Sequence, residues 1–395
     1  ALAIGLAFGV APALSAARSQ PAGALRRSGR GSVSHGRERV RSALIIAQVS
    51  LAAVVLVAAG LLLRSFDRLS RVEPGFAMER GMTFRVAPDW GTYRERSQAV
   101  TLYDEFLARV AAIPGVTGVA GVNRLPLTGG WWTTEYRQEG AVVERGREQL
   151  AGYRVVTPNY FSVMGIPLLA GRAIDATDGA NALNAVVVGR SLAERAWPGA
   201  SAIGRRVTFD PQETSPTWYT VVGVVSDVHT TGLAGQPSPL AYVSFAQARF
   251  GHFGDWGMDI VVRTSRDDGA VVASARRELA AVAPGIPLFE PRPLADLVSR
   301  DLARSRFLML LIGAFAAIAV TLAGVGLYGV VAYGVEQRRG EVGVRIALGA
   351  GSAMVWRSVV VRSVALAGIG VVVGVPAAAA VARLMSGVLY GVRPL

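Results

Sequence analysis

Four uncharged apolar runs divide the chain: Ala1–Ala17, Ala43–Leu63, Phe307–Val335 and Ser363–Ala382. An α-helix rises about 1.5 Å per residue, so about 20 apolar residues cross the hydrocarbon core of a bilayer. The last three runs meet that length and predict transmembrane helices. Ala43–Leu63 holds only Gln48 and Ser50 as polar members, and the last run carries Pro376. Ala1–Ala17 is short and has two readings. One is a signal peptide with a small-residue site at Ala13–Ala16; the other is the end of a span that begins before Ala1. No basic segment precedes this run and a strongly basic one follows it, which favours the second reading.

Between the second and third runs the period changes. Met82–Ala87 predicts a strand. Ser97–Ile113 has helical spacing, with Val100, Tyr103, Phe106, Leu107 and Val110 on one side, and Pro114-Gly115 stops it. Val116–Val122 reads as a strand. The same order returns as strand Met258–Thr264, helix Asp267–Val282, stop Pro284-Gly285 and strand Ile286–Glu290. From about 124 to 257 the chain is rich in Gly, Pro, Trp and Thr. Short strands are predicted there at Tyr153–Thr157, Ala185–Val188, Arg206–Phe209, Tyr219–Val225 and Leu240–Ser244, with a helix at Ser191–Trp197. The predicted fold class is a multi-span α-helical membrane protein with a large α+β extracytoplasmic domain. That domain is read as a βαβ pseudo-repeat plus a mostly-β inserted subdomain.

Composition agrees. Hydrophobic residues make up 51%, charged residues 17%, and mean hydropathy is +0.38. Global disorder is excluded. The absence of cysteine excludes disulfide scaffolds, zinc-thiolate sites and thiol nucleophiles. All 41 basic residues are arginine. Without lysine there is no phosphate-loop lysine and no Schiff-base chemistry.

The net charge of +13 is placed in a way that argues against nucleic acid. Arg18, Arg26, Arg27, Arg30, Arg37, Arg39 and Arg41 face a single Glu38 between two apolar runs, the signature of a cytoplasmic membrane flank. Topology follows. Residues 1–17 end a span, 18–42 form a cytoplasmic basic linker, and 43–63 cross outward. Residues 65–306 lie outside, 307–335 cross back, and 336–358 form a cytoplasmic loop. A last span occupies 359–385, and 386–395 lie outside. The tethers near 65–81 and 291–306 join the outer domain to its two helices.

Candidate chemistry is sparse. Gly324, Gly326 and Gly329 spell the dinucleotide fingerprint, but inside an uninterrupted apolar helix, where small residues serve close helix packing. Gly368, Gly370 and Gly374 read the same way. Asp227 and His229 lie two apart, a spacing that shares a strand face, and read as a surface loop following a strand. His35 sits in a polar linker and His252 in a Gly-rich loop. Asp175, Asp178, Asp267 and Asp268 read as turn and helix-start residues. Trp131-Trp132 is either an exposed recognition loop or a core plug. No catalytic residue, metal ligand or cofactor-binding residue is assigned, and the chain is read as a non-enzyme.

Arg338–Ala350 carries more information. Glu341 and Arg345 stand four apart in the favourable order for a helical ion pair. The segment is either a partner-docking amphipathic helix or a solvated turn. Its sequence, RRGEVGVRIALGA, resembles the cytoplasmic loop of FtsX-like/MacB-type ABC transporter permeases. The family pattern is met at Glu341, Gly343, Arg345, Ala347, Leu348, Gly349 and Ala350, after Arg338 and Arg339. Arg41–Phe66 resembles the span before the family's periplasmic core domain. Thr157–Arg172, Trp197–Val207 and Tyr219–Val228 resemble stretches of that core. Pro12–Arg27 is similar to the tail that closes one permease unit in duplicated, acidobacterial-type permeases.

The resemblance implies a permease subunit in a bacterial inner membrane, used for efflux or mechanotransmission. It implies a separate cytoplasmic ATPase that binds ATP and pushes on the loop, and no cofactor of the chain's own. It implies a second permease half, lipid contact and a periplasmic partner. The competing reading is a membrane-anchored sensor or scaffold that regulates a periplasmic partner without transport.

Overall fold

The computed structural model describes residues 34–89, 91–129, 133–141, 149–248, 257–265, 268–337 and 352–384. The chain forms two compact units, Ser65–Leu308 and the remainder.

Three long helices carry the apolar runs: α1 (Ser34–Ser70), α6 (Ala295–Gln337) and α7 (Ser352–Leu384). Their stretches long and apolar enough to cross a membrane are Ser42–Ser70, Ala295–Gly329 and Ser363–Leu384. With 43 residues, α6 rises about 65 Å, roughly twice a hydrocarbon core. The helices therefore run past the apolar runs that mark them, because helical hydrogen bonding continues where hydropathy changes. Their surfaces expose Leu51, Leu56, Phe307, Leu310, Phe315 and Val372. In water such a surface is a liability; in hydrocarbon it is the matching solvent.

The outer unit starts from β1 (Gly81–Val86), α2 (Arg96–Ala111) and β2 (Val116–Val122). It ends with β10 (Met258–Thr264), α5 (Asp268–Val282) and β11 (Leu288–Pro293). Glu95 and Gln98 close a capping box at the start of α2, which fixes where that helix begins. The four strands form an antiparallel sheet in the order β11-β1-β10-β2, a split βαβ arrangement. Each strand of one βαβ unit is thus paired with strands of the other. Tyr103, Phe106 and Val110 of α2 and Val271, Ala275 and Leu279 of α5 pack in one core with Met82, Phe84, Met258 and Ile260. Buried Tyr103 donates its hydroxyl to Val86 O at 2.7 Å and accepts from Met258 N at 3.2 Å, tying α2 to both central strands.

Between β2 and β10 lie β3 (Thr133–Gln138), β4 (Gln149–Val156), α3 (Tyr160–Met164), β5 (Leu168–Gly171) and β6 (Ala185–Gly189). They are followed by α4 (Arg190–Ala196), β7 (Arg206–Thr208), β8 (Trp218–Val225) and β9 (Leu240–Ser244). Six of these strands pair in a closed circuit, β4-β3-β7-β8-β6-β9 and back to β4. Closure removes the free edges that a sheet of short strands otherwise exposes. Tyr136, Tyr153, Val155, Val186, Tyr219 and Val243 belong to the core shared with α2 and α5. Edge-on contacts between Tyr153 and Phe209, 5.2 Å apart, help fill the circuit.

The strands β3 and β5 and the helix α3 have no counterpart in the hydropathy pattern. β3 buries only Tyr136, and β5 is exposed along its whole length. Ile286–Glu290 begins two residues before the observed strand, since Pro287 delays pairing.

Candidate functional site

Chemistry in this chain concentrates where the two tethers join the outer unit. The chain leaving α1 runs through Pro74-Gly75-Phe76. Phe76 is buried, in the same core cluster as Leu294 and Leu297 at the start of α6. Both tethers therefore insert apolar side chains into one cluster. That cluster also holds Tyr160, Phe161 and Met164 of α3, Val261 of β10 and Tyr242 of β9. Burying a Phe or Leu side chain is worth about 1.5–3 kcal/mol, so each tether is anchored firmly.

Polar contacts lock the same segments. The Arg263 guanidinium, on β10, donates to Val163 O at 2.7 Å and to the carbonyls of Ala77 and Glu79. His229 N donates to Pro74 O at 3.0 Å. Gly75 has φ of 87°, and a Cβ there would collide with the carbonyl of Asp227, so no other residue fits the approach. On the second tether, Asp301 Oδ2 accepts from Leu233 N at 2.9 Å. Asp301 thereby joins α6 to the segment between β8 and β9.

Asp227 and His229 correct their surface-loop reading. Both follow β8 in irregular backbone, but His229 is buried. Asp227 accepts from the backbone N–H and the hydroxyl of Ser191 at the start of α4. The pair braces the fold. Asp178, read as a turn residue, is also buried and takes two hydrogen bonds of 2.7 Å from Arg172. Among the described residues no three His, Asp or Glu side chains come together as metal ligands.

In the other unit, helix packing is confined to some of the small residues. A Cβ on Gly326 would strike the Gln48 side chain. One on Gly370 would lie 2.7 Å from Val49 Cβ, and one on Gly374 2.9 Å from Ser50 O. Among the described residues, nothing lies within 4 Å of a Cβ placed on Gly324, Gly329 or Gly368, so these three make no close packing contact there.

The predicted loop residues Arg338, Arg339, Glu341, Gly343, Arg345, Ala347, Leu348, Gly349 and Ala350 lie outside the described residues. So do His252 and Trp131-Trp132. Sequence reading missed Phe76, Arg263, Asp301 and Leu297. Single side chains anchoring a tether carry no motif; the one legible signal was Pro74-Gly75, eleven residues beyond a predicted span.

A family model described as the MacB-like periplasmic core domain matches residues 42–282. A second, the FtsX-like permease C-terminal, matches residues 313–393. The chain is 24% identical over 360 residues to a macrolide export ATP-binding/permease protein MacB of Azoarcus sp., covering 89% of this chain and 51% of that protein. It is 24% identical over 289 residues to a pyoverdine export ATP-binding/permease protein PvdT of Pseudomonas putida, covering 72% of this chain and 41% of that one. The chain thus spans about half the length of these curated relatives. Among solved structures, the periplasmic region of MacB from Actinobacillus actinomycetemcomitans aligns with a TM-score of 0.39 and 16% identity. That alignment covers 59% of this chain and 97% of the other.

Proposed function

The chain belongs to the FtsX-like, MacB-type ABC permeases, and from that premise we propose that it transmits the work of a cytoplasmic ATPase to its outer domain. The relatives' names combine ATP binding with permease function, and they extend well beyond the stretch matched here. This chain contains no lysine, so it has no phosphate loop of its own. On this reading ATP is bound on a separate subunit, and the Arg338–Ala350 loop receives its push. A second permease half completes the assembly in a bacterial inner membrane. The outer domain moves in response, for efflux or for action on a periplasmic partner.

The observation that carries this reading is the anchoring of both tethers in one core cluster, through Phe76, Leu294 and Leu297. A displacement of either helix end is shared with the other through packed side chains, which deform little. Co-purification tests it. The ATPase is expected to accompany the full chain from its host and to be lost when Glu341 and Arg345 are both charge-reversed. Retention of the ATPase by the double variant would sink the docking assignment.

A further inference from the structure

The outer unit contains a cleft of about 520 Å³ between β1, β11 and the first turns of α6. Arg85, Arg124, Arg292 and Arg300 line it against only two carboxylates, Asp259 and Glu290, an excess of two positive charges. Part of this charge is structural: Arg85 Nη1 lies 3.3 Å from Asp259 Oδ1, and Leu125 N donates to Asp259 Oδ2 at 3.0 Å. Arg292 meets Glu290 at only 3.5 Å, at the long end of ion pairing. Arg300 is exposed and makes no ion pair among the described residues.

Two further features mark the cleft as built for a ligand. Thr83 is 2% exposed, and its Oγ1 has no hydrogen-bond partner; neither does Arg292 Nε across the strand pair. A buried donor left in that state is destabilising, because it has given up water without gaining a partner. The backbone is also held in an unusual form. Thr83 pairs with Arg292 and Arg85 with Phe289, so Glu290 and Pro291 together oppose Phe84 in a bulge. Glu290 has φ of 44° and Leu127, on the facing wall, 60°. Non-glycine residues adopt this region at a cost, and such costs gather at binding sites. The remaining walls are apolar: Leu297, and Phe289, which is 45% exposed.

We propose that this cleft binds an oxyanion, a phosphate or carboxylate, carried on an apolar body. The arginines and Thr83 receive the oxygens, as paired guanidinium donors suit planar or tetrahedral oxyanions. Phe289, Leu127 and Leu297 cover the apolar part. Leu297 and Arg300 belong to α6, so a bound ligand touches that tether directly. The site does not depend on the ATPase reading, because binding is measured without nucleotide or partner.

The test is calorimetric titration of the full chain in zwitterionic-lipid nanodiscs with phenyl phosphate and with inorganic phosphate. Phenyl phosphate is expected to bind saturably and more tightly than inorganic phosphate. Arg300→Gln, an exposed change that leaves the fold intact, is expected to weaken it about tenfold, and Arg292→Gln at least as much. Arg304→Gln, exposed on the same helix and outside the cleft, is the neutral control. Absence of saturable binding, or equal affinity in Arg300→Gln, overturns the site; equal affinity for inorganic phosphate overturns the apolar body. Nanodiscs containing an anionic phospholipid separate the sources. Competition by the lipid makes a headgroup the natural ligand, and undiminished binding makes it a dissolved solute; both outcomes require the site.

Discussion

Arg263 shows what one residue contributes to this molecule. On β10 its side chain reaches the carbonyls of Ala77, Glu79 and Val163, which lie far away in sequence. Charged donors to backbone carbonyls are worth about 1.5–3 kcal/mol each before solvent exposure reduces them. Arg263→Gln is expected to cost about 2–3 kcal/mol, seen as a lower thermal midpoint of the full chain in detergent. An unchanged midpoint would show that water replaces the clamp. Asp259 predicts a pH effect. Burial is the largest influence on its carboxyl and raises the pKa, against the opposing pulls of Arg85 and the Leu125 amide. The folded protein thus keeps a proton that the unfolded chain has already released. That contribution is full below the ordinary carboxylate range and is lost as pH rises through the folded value. Thermal midpoints are expected to fall with rising pH across that window, and Asp259→Asn is expected to flatten this part of the profile.

At the scale of elements, the longer helices were legible, and so were the ring strands other than β3; the short helix α3 was not. Tyr103, Phe106 and Val110, spaced for one face, are buried in α2 as their pattern indicates. The glycines of the long helices divide by environment rather than by motif. Gly374→Val places a branched Cβ 2.9 Å from both Ser50 O and Ala53 Cβ and is expected to destabilise the packing of α7 on α1 by about 1–3 kcal/mol. Gly368→Val, six residues earlier with open space, is expected to be neutral. Detergent melts of the two variants check this directly; equal losses would refute the packing assignment. No pattern in the sequence separates the two glycines, since both sit in the same apolar run.

At the scale of the whole chain, the two tethers share one core cluster. A double-mutant cycle on Phe76→Leu and Leu297→Ala is expected to give a coupling energy above about 0.5 kcal/mol, because the side chains belong to one packed group. Strict additivity would mean that the tethers are anchored independently, and would remove the physical basis for transmission between them.

Hydropathy and local punctuation were determined by the sequence alone. Uncharged runs of about 20 residues require a hydrocarbon solvent, and a Pro-Gly stop ends a helix wherever it occurs. The resemblance carried by RRGEVGVRIALGA is likewise written in order along the chain. Only the tertiary structure decided that β10 separates β1 from β2, and that β9 meets β4 in parallel to close a ring. It alone brought Arg292, Thr83 and Arg300 to one cleft. The physical reason is range. Helix formation and membrane partition depend on neighbours within a few residues, whereas strand pairing and charge clustering join residues that are remote in sequence, and each of them alone carries no local signal.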